Sequence, residues 1–311
     1  MPHMAHENGF SFDESFRSGF VTLVGRPNAG KSTLINAIMG KKIAITSNTA
    51  QTTRHRFRAV LTQPAYQLIL VDTPGLHKPQ DALGEELNTS ALKALEDVDV
   101  VAMLVDSSKP VGRGDEWVAA QVARVRSKKI LVLSKTDLVD DEALARQRDE
   151  AARLAPWDDI VSCSAETHEN VDAFTERVVA LLPAGPKWFP EDMETDQPLE
   201  VIVAEFVREK ILRSFRDEVP HAIGVKVEEM KYVRKRNLDS IRAIIYVEHD
   251  SQKGIIIGQG GEAIKRVGSE ARIDLEQLLG TRVYLDLNVK VKKNWRRDTT
   301  QIRRFGYGEG A

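Results

Sequence analysis

The chain has little of what staples or anchors a polypeptide. It holds a single cysteine, Cys163, so no intrachain disulfide can form, and the composition fits a reducing compartment such as the cytosol. Cys163 closes the apolar stretch Ile160-Val-Ser-Cys163, where a packed structural thiol is expected rather than a nucleophile. No apolar run approaches the ~20 residues that a membrane-spanning helix needs. Residues 1–17 lack the basic start and apolar core of a secretory signal and read as a flexible tail. Internal repeats and low-complexity segments are also missing. Net charge is only −2, but it is unevenly placed. Residues 1–199 carry 22 Lys and Arg against 29 Asp and Glu, whereas residues 200–311 carry 22 against 17. An acidic first part and a basic second part point to a polyanionic partner for the second, with chance surface variation as the plain alternative.

What is present is a globular chain of 311 residues, enough for about two domains. Between residues 18 and 184, short apolar strands alternate with helical patterns. The strands are expected at 20–24, 59–62, 67–71, 98–105, 130–133 and 160–163. The helices are expected at 31–39, 86–96, 115–126, 142–154 and 171–182. Near-continuous apolar runs suit strands buried on both faces, and repeated strand–helix units argue for a mainly parallel, doubly wound α/β sheet. The proline- and acid-rich stretch 185–199 reads as a linker. Beyond it, residues 200–295 read as an α+β domain: a helix to 215, strands at 222–232 and 240–249, a turn at 254–257, a helix at 262–279 and a strand at 283–291. Residues 296–311 read as a basic tail.

The segment Gly25-Arg26-Pro27-Asn28-Ala29-Gly30-Lys31-Ser32, followed by Thr33, matches G-x-x-x-x-G-K-[ST] between a strand and a helix. Its backbone N–H groups and the helix N-terminus suit phosphate oxygens. Lys31 can bridge the β- and γ-phosphates, and the Ser32 hydroxyl can ligate Mg²⁺. Three later motifs each follow a strand. Asp72-Thr73-Pro74-Gly75 can hold the Mg²⁺ through water and offer the Gly75 N–H to the γ-phosphate. Ser134-Lys135-Thr-Asp137 can accept the N1–H and N2–H₂ edge of guanine on Asp137. Ser164-Ala165-Glu166 can place a backbone N–H on guanine O6. Singly, Asp137 reads equally as a helix cap and Ser164 as a turn residue; together they separate a GTPase from a small-molecule kinase.

With these motifs and Gln51-Thr-Thr-Arg54, the chain resembles the translation-factor-related GTPases, and within them the Era family. The resemblance makes Thr53, beside Lys31 and Gly75, part of the catalytic set, as the switch threonine that ligates Mg²⁺. The family usually has Asn where Ser134 stands, so weaker nucleotide affinity is expected. Leu76 occupies the place of the water-orienting glutamine of Ras-type enzymes, so intrinsic turnover should be slow. Asn28 is either a turn residue or, as in related GTPases, a ligand for K⁺. His55 and His77 read as solvated surface histidines.

Near the other end, Gly258-Gln259-Gly260-Gly261 precedes Lys265 and Arg266 on a helix. The setting resembles the type II KH fold, whose glycine loop lets backbone approach a phosphate and whose groove holds about four nucleotides. Lys292, Lys293, Trp295 and Arg296 are expected to add phosphate contacts and a stacked base; a frayed basic terminus is the alternative. The Era resemblance covers roughly residues 18–307. It implies a GTP/GDP switch, acting as a monomer, that binds the 3′ end of 16S ribosomal RNA and the 30S subunit and assists assembly and maturation of that subunit. Its alternative is a GTPase of cell-cycle regulation that is membrane-associated, by peripheral contact with the inner membrane, or protein-binding, with the KH domain as scaffold.

Overall fold

A computed structural model describes residues 14–307, except 48, 50, 51, 77, 78, 80, 216–218, 220 and 221. The first layer is a six-stranded sheet of β1 (Arg17–Gly25), β2 (Phe57–Gln63), β3 (Tyr66–Asp72), β4 (Val100–Asp106), β5 (Lys128–Ser134) and β6 (Asp159–Cys163). Their order is β2-β3-β1-β4-β5-β6. Every pairing is parallel except β2 with β3. The strands read as apolar runs because both faces are covered: β4 is buried at every position. Helices α1 (Lys31–Met39), α2 (Ala82–Lys93), α3 (Arg113–Val122), α4 (Asp141–Ala152) and α5 (Val171–Leu181) connect the strands. Parallel strands end on the same edge, so the loops after β1, β3, β5 and β6 converge there, and those loops carry the four phosphate and base motifs.

The segment read as a linker follows the sheet closely. Gln67 at 0% exposure donates to the Phe189 carbonyl and accepts from the Trp188 and Phe189 amides. The second unit packs α6 (Leu199–Ser214), α7 (Asp250–Ile257) and α8 (Glu262–Leu279) on the sheet β7 (Gly224–Val233), β8 (Leu238–Val247), β9 (Arg282–Val291). β7 and β8 are antiparallel, and β8 and β9 parallel. The expected turn at 254–257 is instead the last part of α7. Its start is fixed by Gln252, whose side chain accepts from the Glu248 and His249 amides, a local signal that apolar periodicity does not show.

The basic tail is also corrected. Residues 299–304 form α9 (Thr299–Arg304), capped by the Asp298 carboxylate. Trp295, Ile302, Phe305 and Tyr307 form one apolar cluster with Leu83 and Leu87 of α2. The C-terminal segment is therefore seated on the first domain. Among the described residues no helix is long and apolar enough to cross a membrane.

Candidate functional site

The phosphate loop is held by backbone contacts that leave no room for substitution. A Cβ at Gly75 would meet the Pro27 Cα at 2.9 Å, and the Leu76 amide donates to the Gly25 carbonyl at 3.2 Å. The first and second motifs are thus packed on each other. Leu76 itself is buried in the core under β4 and β5, so its side chain positions no water. Thr73 is also turned inward, with its hydroxyl on the Leu23 carbonyl. Pro74 and Gly75 are buried, and Gly75 borders the cavity over the loop.

Lys31 is buried, and its Nζ is 3.5 Å from the Arg26 carbonyl. Burial pushes its pKa down, against the attraction of Asp72. Three side chains meet beside it. Ser32 Oγ lies 3.0 Å from Asp72 Oδ2 and 3.0 Å from Thr53 Oγ1, and Thr53 Oγ1 donates to the same carboxylate oxygen at 3.3 Å. Burial drives the Asp72 pKa up to about 6, although Lys31 and the Ser32 hydroxyl pull it down. Its second oxygen, Oδ1, is buried with no hydrogen-bond partner. An orphaned carboxylate oxygen within an all-oxygen set is what a hard divalent cation of the Mg²⁺ type completes.

The base-side motifs are joined in the same way. Ser164 is fully buried and its hydroxyl donates to Asp137 Oδ1 at 2.6 Å, which orients that carboxylate. Ala165 is half-buried and Glu166 exposed. Lys135 pairs with Asp106 at 2.7 Å. The Ser134 hydroxyl reaches the Ala29 carbonyl at 2.8 Å and the Val105 carbonyl at 3.1 Å, so the serine still ties the phosphate loop to β5. What it lacks is length toward the base. Ser134→Asn is expected to raise GDP affinity at least threefold, by roughly 0.7 kcal/mol or more; fluorescent-nucleotide titration showing a smaller gain would contradict the deficit. The Arg26 side chain turns to α3 and pairs with Asp115 at 3.0 Å, so what Arg26 offers the loop is its backbone.

A small cavity of about 110 Å³ lies over the loop, lined by Asn28, Gly30, Lys31, Ser32 and Thr33 and closed by Ile45–Ser47 and Thr52–Thr53. The segment that closes it is fastened to the second domain, an arrangement the sequence did not reveal. Lys42 Nζ donates to Glu209 and to Asp274. The Thr46 amide donates to Glu209 Oε1 at 2.8 Å. The Thr52 carbonyl accepts from Arg208. Arg208 and Glu209 are fully buried charges on α6. Charged residues at buried helix positions were the one available signal, and an amphipathic reading of α6 passes over it.

His55 is likewise not a surface residue. It is 8% exposed, 3.6 Å from Glu205, and edge-on to the Tyr307 ring at 4.8 Å. Burial lowers its pKa. Its neighbour Arg54 lies beside the Trp295 and Tyr307 rings and donates to the Ile223 carbonyl; burial and then Arg208 bring its pKa down to about 10. His77 lies outside the described residues.

In the second domain the glycine loop joins α7 to α8. Gly258 has φ 75°, and a Cβ there would meet Ala263 Cβ at 2.6 Å. Gln259, Lys265 and Arg266 are exposed at this end. Lys293 is exposed, whereas Lys292 lies over the Tyr246 and Phe305 rings. Trp295 contradicts its predicted role. It is fully buried, with Nε1 donating to the Ala222 carbonyl at 3.0 Å, and no base can stack on it. Arg296 is spent on Glu248 and Asp81, at 2.8 and 3.5 Å.

Residues 20–135 match a family model described as a 50S ribosome-binding GTPase, and residues 218–296 match a KH domain model. GTPase Era of Mycobacterium sp. (strain JLS) is 45% identical over 296 residues, spanning 94% of this chain and 99% of that protein. The chain belongs to the Era GTPase family. Era of Streptomyces coelicolor is 47% identical over 301 residues, 94% of this chain and 95% of that one. Two solved Era structures superpose on nearly the full length. A variant from Aquifex aeolicus bound to GDP·AlF₄⁻ has a TM-score of 0.90 at 37% identity, covering 94% and 100% of the two chains. Era in complex with MgGDPNP and nucleotides 1506–1542 of 16S ribosomal RNA has a TM-score of 0.91 at 38% identity, covering 94% and 99%. The two domains are accordingly a P-loop GTPase domain and a KH domain, and this Era-family protein hydrolyses GTP to GDP and phosphate.

Proposed function

We propose that this Era-family GTPase is a guanine-nucleotide switch that binds the 3′ end of 16S ribosomal RNA through its KH domain and assists assembly and maturation of the small ribosomal subunit. The observation that carries the reading is the fastening of Lys42, Thr46 and Thr52 to α6: the same part of the chain bears Thr53 beside Asp72 and hydrogen-bonds the KH domain. A relative of the same fold binds both MgGDPNP and the 16S segment 1506–1542.

In this reading, backbone N–H groups of residues 25–33 and the N-terminus of α1 hold the phosphates. Lys31 bridges β- and γ-oxygens, and Asp137, oriented by Ser164, reads the guanine edge. Ser32 and Thr53 would ligate Mg²⁺, with Asp72 behind a water, and the ion would neutralise charge developing between the β- and γ-phosphates. Thr53 would ligate that ion when GTP is bound, and a change there would reach Arg208 and Glu209 of α6 through the Thr52 carbonyl and the Thr46 amide. The Gly258–Gly261 backbone, Lys265, Arg266 and Lys293 take RNA phosphates. Crosslinking in cells or lysate, with GDPNP against GDP, should recover the 16S 3′ end several-fold more in one state. Equal recovery would remove the switch.

Asn28 lines the phosphate cavity, and we assign it as a K⁺ ligand that adds positive charge where Leu76 leaves hydrolysis without a positioned glutamine. Turnover in K⁺ buffer should exceed that in Na⁺ by about tenfold, or about 1.4 kcal/mol in barrier. Identical rates in the two salts would dismiss K⁺.

A further inference from the structure

Arg208 of α6 is among the largest fully buried side chains of the protein. Its Nε donates to Glu205 Oε1 at 2.8 Å and its Nη2 to Glu205 Oε2 at 2.5 Å, within the same helix. Nη2 also donates to the Thr52 carbonyl of the first domain. An ion pair buried in this way adds little stability over apolar side chains of similar volume, so its use here is geometric. Glu205 neutralises the guanidinium and fixes its plane, and the rigid fork sets where the Thr52 carbonyl lies.

The next residue is Thr53, and the residue after it is held by the second domain as well. The Arg54 guanidinium donates to the Ile223 carbonyl, just before β7, and lies 5.7 Å and 5.3 Å from the Trp295 and Tyr307 ring centres. Thr53 is thus fastened on both sides by contacts outside the first domain. Its own hydroxyl faces the nucleotide site, 3.0 Å from Ser32 Oγ and 3.3 Å from Asp72 Oδ2. Mg²⁺ demands nearly ideal octahedral geometry, and a ligand must be held to within about 0.5 Å to serve it. The backbone on either side of Thr53 therefore decides whether that hydroxyl can ligate.

We propose that Arg208 is a positioning residue for GTP hydrolysis: by holding the Thr52 carbonyl it fixes the Thr53 hydroxyl for Mg²⁺ when GTP is bound, so that the second domain completes the GTPase site of its own chain. The inference rests on Thr53 being a Mg²⁺ ligand in the GTP state.

The test uses the full chain without RNA. The double variant Arg208→Met/Glu205→Gln removes both charges together at similar volume, so neither is left buried and unpaired; circular dichroism and the melting temperature report the fold. Affinities for GDPNP and GDP are measured at limiting Mg²⁺ by competition with a fluorescent nucleotide, and the Mg²⁺ concentration for half-maximal GTP turnover is measured separately. The double variant should bind GDPNP about tenfold more weakly, bind GDP as wild type does, and need about tenfold more Mg²⁺. Arg208→Lys keeps the charge and a donor for the carbonyl and should recover most of both losses. Thr53→Val keeps the shape without the hydroxyl and should show the same selective loss. Adding the double variant to Thr53→Val should cost no more than about twofold further, because changes that act through one hydroxyl do not add. Wild-type GDPNP affinity and Mg²⁺ requirement in the double variant overturn the proposal. So does an equal loss on GDPNP and GDP, or full additivity with Thr53→Val, since either would make Arg208 a support of the domain interface alone. If Thr53→Val itself changes neither quantity, the reading of Thr53 as a metal ligand fails, and this inference falls with it.

Discussion

Asp72→Asn is expected to lower kcat/KM for GTP by about a hundredfold, the upper range for losing an outer-sphere carboxylate. Burial has raised the Asp72 pKa to about 6, and a carboxyl must be ionised to hold a water on Mg²⁺. Protonation therefore competes with the metal on the acid side: as pH falls through about 6, the free enzyme loses its cation-ready state. Wild-type kcat/KM, which reports free-enzyme ionisations, should drop close to tenfold per pH unit below that point. The asparagine variant should be slow and lack that limb. Any slope that persists in it belongs to the nucleotide. A wild-type profile flat from pH 7 to 5, or an asparagine variant within threefold of wild type at pH 7.5, would contradict the assignment. Asparagine is close to aspartate in shape, and its amide can donate to the hydroxyls of Ser32 and Thr53, so folding should survive; circular dichroism is the control.

Gly260→Asp is expected to abolish most RNA binding, by about a hundredfold or more, equivalent to roughly 2.7 kcal/mol. Gly260 has φ 58°, and a Cβ there meets nothing within 4 Å. Aspartate is among the side chains that tolerate this conformation, so the fold is spared while a carboxylate is placed where a phosphate must approach. Like charges set against each other cost several kcal/mol. GTP turnover without RNA should be unchanged. Retained salt-dependent binding to single-stranded RNA would show that the loop does not carry the backbone. Trp295→Ala is not a comparable probe. That ring is packed with Ile302, Phe305 and Tyr307, and deleting it costs about 3–5 kcal/mol of folding stability.

The nucleotide motifs were legible because each is a short local pattern at the end of an apolar strand. Gly25–Ser32, Asp72–Gly75, Ser134–Asp137 and Ser164–Glu166 all fall where β1, β3, β5 and β6 end. Parallel pairing then brings them to one edge with little further choice. The glycine loop of the KH domain was legible for the same reason, since Gly258 and its neighbours need backbone conformations that few other residues adopt.

Side-chain fates were set elsewhere. Trp295 and Arg296 looked like exposed RNA contacts and His55 like a solvated surface residue, and each is taken up by contacts distant in sequence: Ala222, Asp81 with Glu248, and Glu205 with Tyr307. Composition reports charge and ring but not the partner across the domain boundary. The sequence by itself determined the chemistry of this protein, because phosphate cradling and base reading depend on residue type at fixed local spacing. The tertiary structure alone decided how the two domains are joined. The bonds from Lys42, Thr46 and Thr52 to α6 and Asp274 link residues more than 150 positions apart, and no local pattern encodes which buried charge will meet which backbone group.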